Sequence, residues 1–183
     1  MLQAAGRILD RDGIQGLTLR AAAREAGASH AAPKNHFDDL TGLLSELATI
    51  GFNRFTERLI TAAETSPQHR LSAIGRAYVD FAVASPGLFQ LMFRSERLDV
   101  DRPALREAMQ RASGVLSDTV GTLHPESTAE TPALAKIAHM VAAWSMVHGF
   151  AMLLLDGRLT PILERLPEGD DATILLNAIL CRC

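Results

Sequence analysis

Cysteine and aromatic residues are scarce in this chain of 183 residues. The two cysteines, Cys181 and Cys183, stand together at the C-terminus, which excludes a disulfide-stabilised scaffold and fits a reducing cytoplasm. One Trp, one Tyr and no alternation of β-branched residues argue against strands. Because hydrophobic residues still make up 48% of the sequence, we expect one or two small helical domains with a buried core.

Charge and hydrophobic runs limit the class further. The net charge of −3 at pH 7 is not that of a strongly basic nucleic-acid-binding domain. The most apolar run, residues 140–155, is short for a membrane span and contains His148, so we predict a helix buried on several faces. Since no signal-peptide pattern is present, we expect a cytoplasmic protein that does not enter a membrane.

Catalytic and metal-binding motifs are absent as well. The chain has no glycine-rich phosphate loop, no HExxH motif and no nucleophile beside a base, so we predict that it is not an enzyme. Cys181 and Cys183 have no His or Cys partner nearby in sequence, and His124, His139 and His148 lack zinc-site spacing. We therefore expect no metal and no cofactor.

Helix starts are marked by a hydroxyl residue directly before a proline, where the hydroxyl can cap and the proline begins the helix. Four such pairs occur: Ser66-Pro67, Ser85-Pro86, Thr131-Pro132 and Thr160-Pro161. With Arg102-Pro103 they predict helices near 67–84, 86–94, 103–123, 132–157 and 171–182, and a single turn over 160–166. Upstream, we predict a helix over 1–12 that ends near Gly13 and a long helix over about 41–64.

Residues 17–37 predict two short helices joined by a tight turn. Thr18 is suited to cap the first helix, which has no breaker over 19–26, and Gly27 supplies a left-handed residue at its end. The small Ala23, four residues before Gly27, allows the two helices to approach closely. Such a helix-turn-helix presents its second helix to the major groove of DNA.

Several motifs recur here in a characteristic order: ILD at residues 8–10, Gly13, LTLR, AGAS and HF before an apolar helix. Together they resemble the DNA-binding domain of TetR-family transcriptional regulators. The segment AWSMVHGFAMLLLDGRL, residues 143–159, and the tripeptide Ala31-Ala32-Pro33 resemble one branch of that family, with a Trp-His-Gly-type regulatory domain. The resemblance implies an all-α protein with a three-helix helix-turn-helix domain, residues 1–45, followed by a helical-bundle effector-binding and dimerisation domain, residues 46–183.

The resemblance also implies which residues contact double-stranded DNA. Arg20 would read a guanine edge and Asn35 an adenine edge, while Thr18, Lys34 and His36 would bind phosphates. The full predicted set is Thr18, Arg20, Ser29, His30, Ala31, Lys34, Asn35 and His36. This sequence departs from the family at Lys34, where relatives usually have Tyr, and at Leu40, where they often have Lys. The basic arm that some relatives carry ahead of the first helix is missing, which implies a protein without it or a truncated start.

The regulatory half is expected to bind a small molecule and a second copy. The resemblance implies a repressor, released from a palindromic operator when a small apolar or amphipathic effector tilts the helix over 41–64. The residues expected to line the effector cavity are Phe52, Phe55, Tyr78, Phe81, Phe89, Met92, Phe93, Met109, Trp144 and His148. An exposed Leu or Ile forgoes about 1.5–3 kcal/mol of burial. The apolar helices over 140–155 and 174–180 are therefore predicted to form a four-helix homodimer interface.

Alternative interpretations remain open. A helical ligand- or lipid-binding module with a degenerate reading head fits the same sequence, and a protein–protein adaptor is a weaker third candidate. If one of these alternatives holds, substitution of Arg20 and Lys34 by alanine would leave the function of the protein unchanged. The effector set is equally compatible with ordinary core packing, and for Trp144 and His148 a packed position with one hydrogen bond is the favoured interpretation.

Overall fold

The computed structural model describes residues 1–27, 37, 39–123 and 132–181, and within these ranges all regular secondary structure is helical. The described α-helices are α1 (Leu2–Gly16), α2 (Leu19–Glu25), α3 (Leu40–Thr65), α4 (Arg70–Ala84), α5 (Pro86–Met92), α6 (Pro103–Leu123), α7 (Pro132–Leu155), α8 (Thr160–Leu163) and α9 (Ala172–Leu180). Short 3-10 helices occupy Pro67–His69 and Ser95–Arg97. The prediction of an all-α fold is confirmed.

The prolines mark helix starts, but the described hydroxyl residues before them do not cap as predicted, and Thr131 lies outside the described residues. Pro67, Pro86 and Pro132 each begin a helical segment. Ser66 and Ser85 make no side-chain capping hydrogen bond. Thr160 lies inside α8, whose N-cap is Leu159. The proline ring, with its helical φ and missing N–H, is therefore the feature that the sequence pattern detected.

The start of the chain follows its prediction closely. α1 is interrupted at Gly13, which has φ 67° and ψ −173°, so the helix expected over 1–12 is followed by a short turn up to Gly16. The Thr18 hydroxyl accepts a hydrogen bond from the Ala21 amide at 3.1 Å and caps α2. Gly27 has φ 64°, the left-handed conformation that ends a helix with least strain in glycine.

Packing divides the chain into two compact units. The first comprises Met1–Arg54 and Ser85–Arg111, and the second comprises Phe55–Ala84 and Ala112–Cys183. α3 and α6 are continuous helices that contribute residues to both units. The predicted functional boundary at residue 45 falls inside α3, and it stays a prediction.

The first unit is built around a short helix that comes from far downstream in the sequence. α5 has only seven residues, yet it packs along α1. Its apolar side chains are almost completely buried: Leu88, Phe89, Leu91 and Met92. α1 also has four buried side chains, Ala4, Ala5, Ile8 and Leu9, and Leu9 lies against Gly87 of α5. Burial of these side chains fixes α5 in the core of the unit that begins the chain.

The second unit consists largely of α4, α7 and α9, with α4 packed against both of the others. Gly75 allows the close approach, because a Cβ there would lie 2.8 Å from Leu180 Cδ2 and 3.3 Å from Val147 Cγ1. Leu180, near the end of α9, is itself buried. The last helix is thereby held on α4 by a contact that a larger residue at position 75 would obstruct.

α7 is much more exposed within one chain than the sequence led us to expect. Among its described side chains, only Val147, Phe150 and Ala151 are buried. The prediction of a helix buried on several faces is therefore wrong for the single chain. Residues Leu134–Leu155 are also long and apolar enough to cross a membrane, a test that core helices of soluble proteins pass too.

Candidate DNA-binding and effector sites

Two of the predicted DNA-binding residues lie in the described part of the chain, at the start of α2. Thr18 is the exposed N-cap, and Arg20 is the exposed second residue of the helix. The other six, Ser29, His30, Ala31, Lys34, Asn35 and His36, lie outside the described residues. Thr18 and Arg20 therefore share one exposed helix start, the kind of surface that suits a phosphate or a base edge.

α2 is attached to α1 through small side chains and peripheral ion pairs. Ala22 and Ala23 have no exposed surface, so the two helices approach each other closely. At the rim, Glu25 Oε1 lies 3.2 Å from Arg7 Nε, and Glu25 Oε2 lies 3.7 Å from Arg11 Nη1. Glu25 thus neutralises the arginines of α1, whereas Arg20 has no acidic partner within the described ranges.

Half of the predicted effector residues belong to the first unit: Phe52, Phe89 and Met92, which are buried in its core, and Phe93 and Met109, which are half-buried. The rings of Phe52 and Phe93 have centroids 6.0 Å apart, and those of Phe89 and Phe93 are 5.0 Å apart. Phe89 is fully buried and Met92 almost so. These contacts are those of a packed core, which the sequence had left as an alternative.

The other five, Phe55, Tyr78, Phe81, Trp144 and His148, belong to the second unit. Phe55 contacts two of them edge-to-face, with its ring centroid 5.0 Å from that of Tyr78 and 5.2 Å from that of Phe81. Tyr78 and Phe81 are buried, but Trp144 is 44% exposed. The favoured interpretation of Trp144 as a packed core residue is therefore wrong within one chain, although the hydrogen bond expected of it is present.

That hydrogen bond belongs to a chain of three polar groups. Trp144 Nε1 donates to the Tyr78 hydroxyl at 3.3 Å, and the same hydroxyl lies 2.8 Å from His148 Nδ1. Because an indole N–H can only donate, the Tyr78 oxygen accepts from Trp144, and the His148 tautomer sets the direction of the hydrogen bond between the Tyr78 hydroxyl and Nδ1.

Burial keeps this chain of groups uncharged. It raises the pKa of the Tyr78 hydroxyl well above its ordinary value, so the group remains protonated at physiological pH. Burial also lowers the pKa of His148. Aromatic surface with a neutral polar chain is the lining expected of a site for an apolar or amphipathic molecule.

Comparison with known proteins connects this geometry to a family. Residues 71–173, more than half of the chain, match the family described as "Tetracyclin repressor-like, C-terminal domain". The chain belongs to the TetR family of transcriptional regulators. A curated relative, the uncharacterised HTH-type transcriptional regulator YobS of Bacillus subtilis, is 23% identical over 158 residues, which cover 84% of this chain and 76% of the relative.

Solved structures agree on the TetR fold. A protein of unknown function from Rhodococcus sp. RHA1 has a TM-score of 0.78 and 30% identity, covering 99% of this chain and 90% of that one. The TetR-family regulator PfmR from Thermus thermophilus has a TM-score of 0.61 and 18% identity, covering 98% of this chain and 94% of that one. These relatives are transcriptional regulators or proteins of unknown function, and TetR-family regulators are not enzymes.

A polar network at the start of α3 was not predicted from the sequence of this TetR-family regulator. The fully buried Ser45 hydroxyl donates to the Thr41 carbonyl at 2.7 Å and accepts from the Asp99 amide at 2.9 Å. Arg102 Nη1 donates to Glu46 Oε1 at 3.1 Å. The network attaches residues 99–102 to the first turns of α3. No spacing signal could reveal it, because its partners stand more than fifty positions apart in sequence.

Acid should destabilise this TetR-family protein through His148. A lowered pKa in the folded state means that the unfolded state binds more protons, so the contribution is present above about pH 6.5 and is lost as pH falls below it. We expect the melting temperature to drop between about pH 7.5 and 5.5, and His148→Asn to flatten that part of the profile. Thermal melts followed by circular dichroism measure this.

Tyr78→Phe is the matched control for this pH dependence. It removes the hydroxyl but retains the ring that buries the imidazole, and burial is the cause of the lowered pKa. The variant should therefore melt at a lower temperature and keep the wild-type pH profile. A profile that is unchanged in His148→Asn contradicts the assignment.

Proposed function

We propose that this regulator is a homodimeric repressor that binds a palindromic operator and is released by a small apolar or amphipathic effector. The observation that carries the proposal is the exposed start of α2, where Thr18 caps the helix and Arg20 is exposed beside it. The choice of repressor over activator follows the habit of the family. A protein with this role acts in the cytoplasm, where its DNA is.

The exposed apolar surface of α7 supports the proposed dimer. Leu134, Ile137, Val141 and Trp144 are 63%, 52%, 46% and 44% exposed. Their spacing of three and four residues places them in one stripe along the helix. On α9, Ile174 is exposed as well.

A second copy is the partner that best explains this stripe. Two subunits related by a two-fold axis would cover both stripes with the same surface. The dimer would also place two reading heads about 34 Å apart, as successive major grooves of a palindrome require. A partner subunit accounts for the apolar composition of α7 without a membrane.

We place the effector site at the cluster of the second unit: Phe55, Tyr78, Phe81, Trp144 and His148. In the first unit the rings of Phe52 and Phe89 both pack against Phe93, whereas in the second unit hydrogen bonds link Trp144, Tyr78 and His148 among the aromatic residues. A ligand that contacts Trp144 would affect the hydrogen bonds that link Trp144 to Tyr78 and Tyr78 to His148. Differential affinity for two conformations of the dimer would then couple this site to DNA.

The single tryptophan offers a direct test of the effector site. Compounds from a panel of apolar and amphipathic molecules that change Trp144 fluorescence should weaken operator binding by about 5- to 150-fold, the usual range of allosteric coupling. Fluorescence titration and DNA-binding titration of the same protein measure the two effects. Compounds that alter Trp144 fluorescence yet leave DNA affinity unchanged would contradict the effector model.

Selection of DNA tests the main proposal. Purified protein at about 0.1 M salt, a concentration at which phosphate contacts still contribute, is mixed with a random or genomic DNA pool and bound fragments are sequenced. Enrichment of a palindrome would support a sequence-specific dimer. A folded, dimeric protein that enriches no sequence would indicate a helical binding module with a degenerate head.

A further inference from the structure

α5 contacts α1 and α3, the two helices on either side of the predicted helix-turn-helix, residues 17–37. α1, which packs against α2, also packs along α5. α3 begins at Leu40, soon after the segment 28–36, and it meets α5 at Gly51 and Phe52. α5, a short helix in the core of the first unit, therefore contacts α1 on one surface and α3 on another.

Gly51 determines how closely α3 approaches α5. A Cβ at this position would lie 2.7 Å from Met92 Sδ, 2.9 Å from Met92 Cγ and 3.1 Å from Leu88 Cδ1. Met92 and Leu88 are 2% and 8% exposed, so neither side chain can swing into solvent to make room. An alanine at position 51 must therefore displace the Met92 side chain within the core or separate the two helices.

α5 has little room to move toward α1 and away from α3, because α5 and α1 are already in close contact at Gly87. A Cβ at Gly87 would lie 2.5 Å from the Leu9 carbonyl oxygen, a backbone atom that cannot rotate aside. The ring contact between Phe52 and Phe93 further fixes the register of α3 beside α5. A displacement at Gly51 is thus transmitted to α1 and α3 together.

We propose that Gly51 is a positioning residue for operator recognition, because its contact with α5 sets the orientation of the helices that carry the reading head. The inference rests on the DNA-binding function proposed above. Gly51 stands about 16 Å along α3 from Leu40, at about 1.5 Å per residue, so a change of helix angle there displaces the reading segment. In the dimer, such a displacement changes the separation of the two heads but leaves the side chains that touch bases unaltered.

The test compares Gly51→Ala with wild type on the DNA fragment that wild type selects. We expect affinity to fall by at least about tenfold. Reselection with the variant should recover the same half-site sequences with a different spacer between them. Gly6→Ala is the matched control in the same unit, because a Cβ at Gly6 meets no atom within 4 Å. It should bind like wild type.

A rescue variant separates positioning from loss of stability. Met92→Ala removes the two atoms closest to a Cβ at position 51 and leaves Leu88 Cδ1, 3.1 Å away, so Gly51→Ala with Met92→Ala should regain DNA affinity and the wild-type spacer while melting at a lower temperature. If Gly51→Ala does not fold, Gly87→Ala displaces α5 at its contact with Leu9 and should change the spacer in the same way.

The outcomes distinguish this inference from the function on which it rests. A folded Gly51→Ala protein with wild-type affinity and wild-type spacer overturns the positioning role alone. A double variant that binds DNA worse than Gly51→Ala overturns it too. A wild-type protein that enriches no DNA overturns both the positioning role and the proposed DNA-binding function.

Discussion

Val141→Glu is expected to convert the protein from a dimer into a monomer. Val141 lies in the middle of the exposed stripe of α7, between Ile137 and Trp144. In the proposed dimer the substitution would bury two unpaired carboxylates, one from each subunit, and each such charge costs several kcal/mol. We therefore expect dimer affinity to fall by at least about 100-fold, measured by sedimentation equilibrium.

Loss of the dimer should also abolish operator binding. Each half-site alone offers a few contacts, and only the linked pair of heads gains the high effective concentration of a tethered second site. Val83→Glu is the matched control, because Val83 is a similarly exposed valine, 53%, on α4 of the same unit. It should remain dimeric and bind DNA. A dimeric Val141→Glu protein would place the subunit interface elsewhere.

The sequence predicted local structure well, because caps and breakers act over a few residues. Thr18 and Gly27 bound α2 as expected, through a hydroxyl that satisfies a free amide and a left-handed glycine. The prolines marked where helices start. Ser66 and Ser85 were predicted to cap helices but do not; at both positions the proline that follows begins the helix without a side-chain cap.

Burial was harder to predict, because the sequence does not show what covers an apolar surface. α7 was expected to be buried within the chain, yet most of its described side chains are exposed or only partly covered. A helix at a subunit interface and a helix in a core have the same composition, since both lose contact with water. The difference lies in which chain supplies the neighbour.

For a related reason, the sequence could not distinguish effector-site residues from core residues. Phe, Met and Trp fill a core and line a cavity equally well, so ten residues were predicted where the packing separates two groups of five. The groups differ because α5 joins the first unit from a distant part of the chain. Such non-local packing has no local sequence signal, and the contact of Gly51 with Met92 is invisible for the same reason.

Arg20→Ala should remove most of the sequence-specific DNA affinity. Arg20 is exposed on α2, and a guanidinium that binds a guanine edge through two hydrogen bonds contributes about 1–3 kcal/mol of discrimination. A palindrome uses the residue twice, so the loss in the dimer is about 2–6 kcal/mol, or roughly 30- to 20,000-fold in affinity. Titration of the selected fragment by fluorescence anisotropy measures it.

The salt dependence of binding distinguishes base reading by Arg20 from a phosphate contact. If Arg20 reads a base, the variant should tolerate any base at one position of each half-site, while the slope of log affinity against log salt stays near that of wild type. If Arg20 binds phosphate, affinity should fall equally for all sequences and the slope should decrease by about one per half-site. Arg54→Ala, which removes an exposed cation from α3 in the same unit, controls for the change in net charge. A base-reading role is contradicted if Arg20→Ala and Arg54→Ala bind the selected fragment equally well.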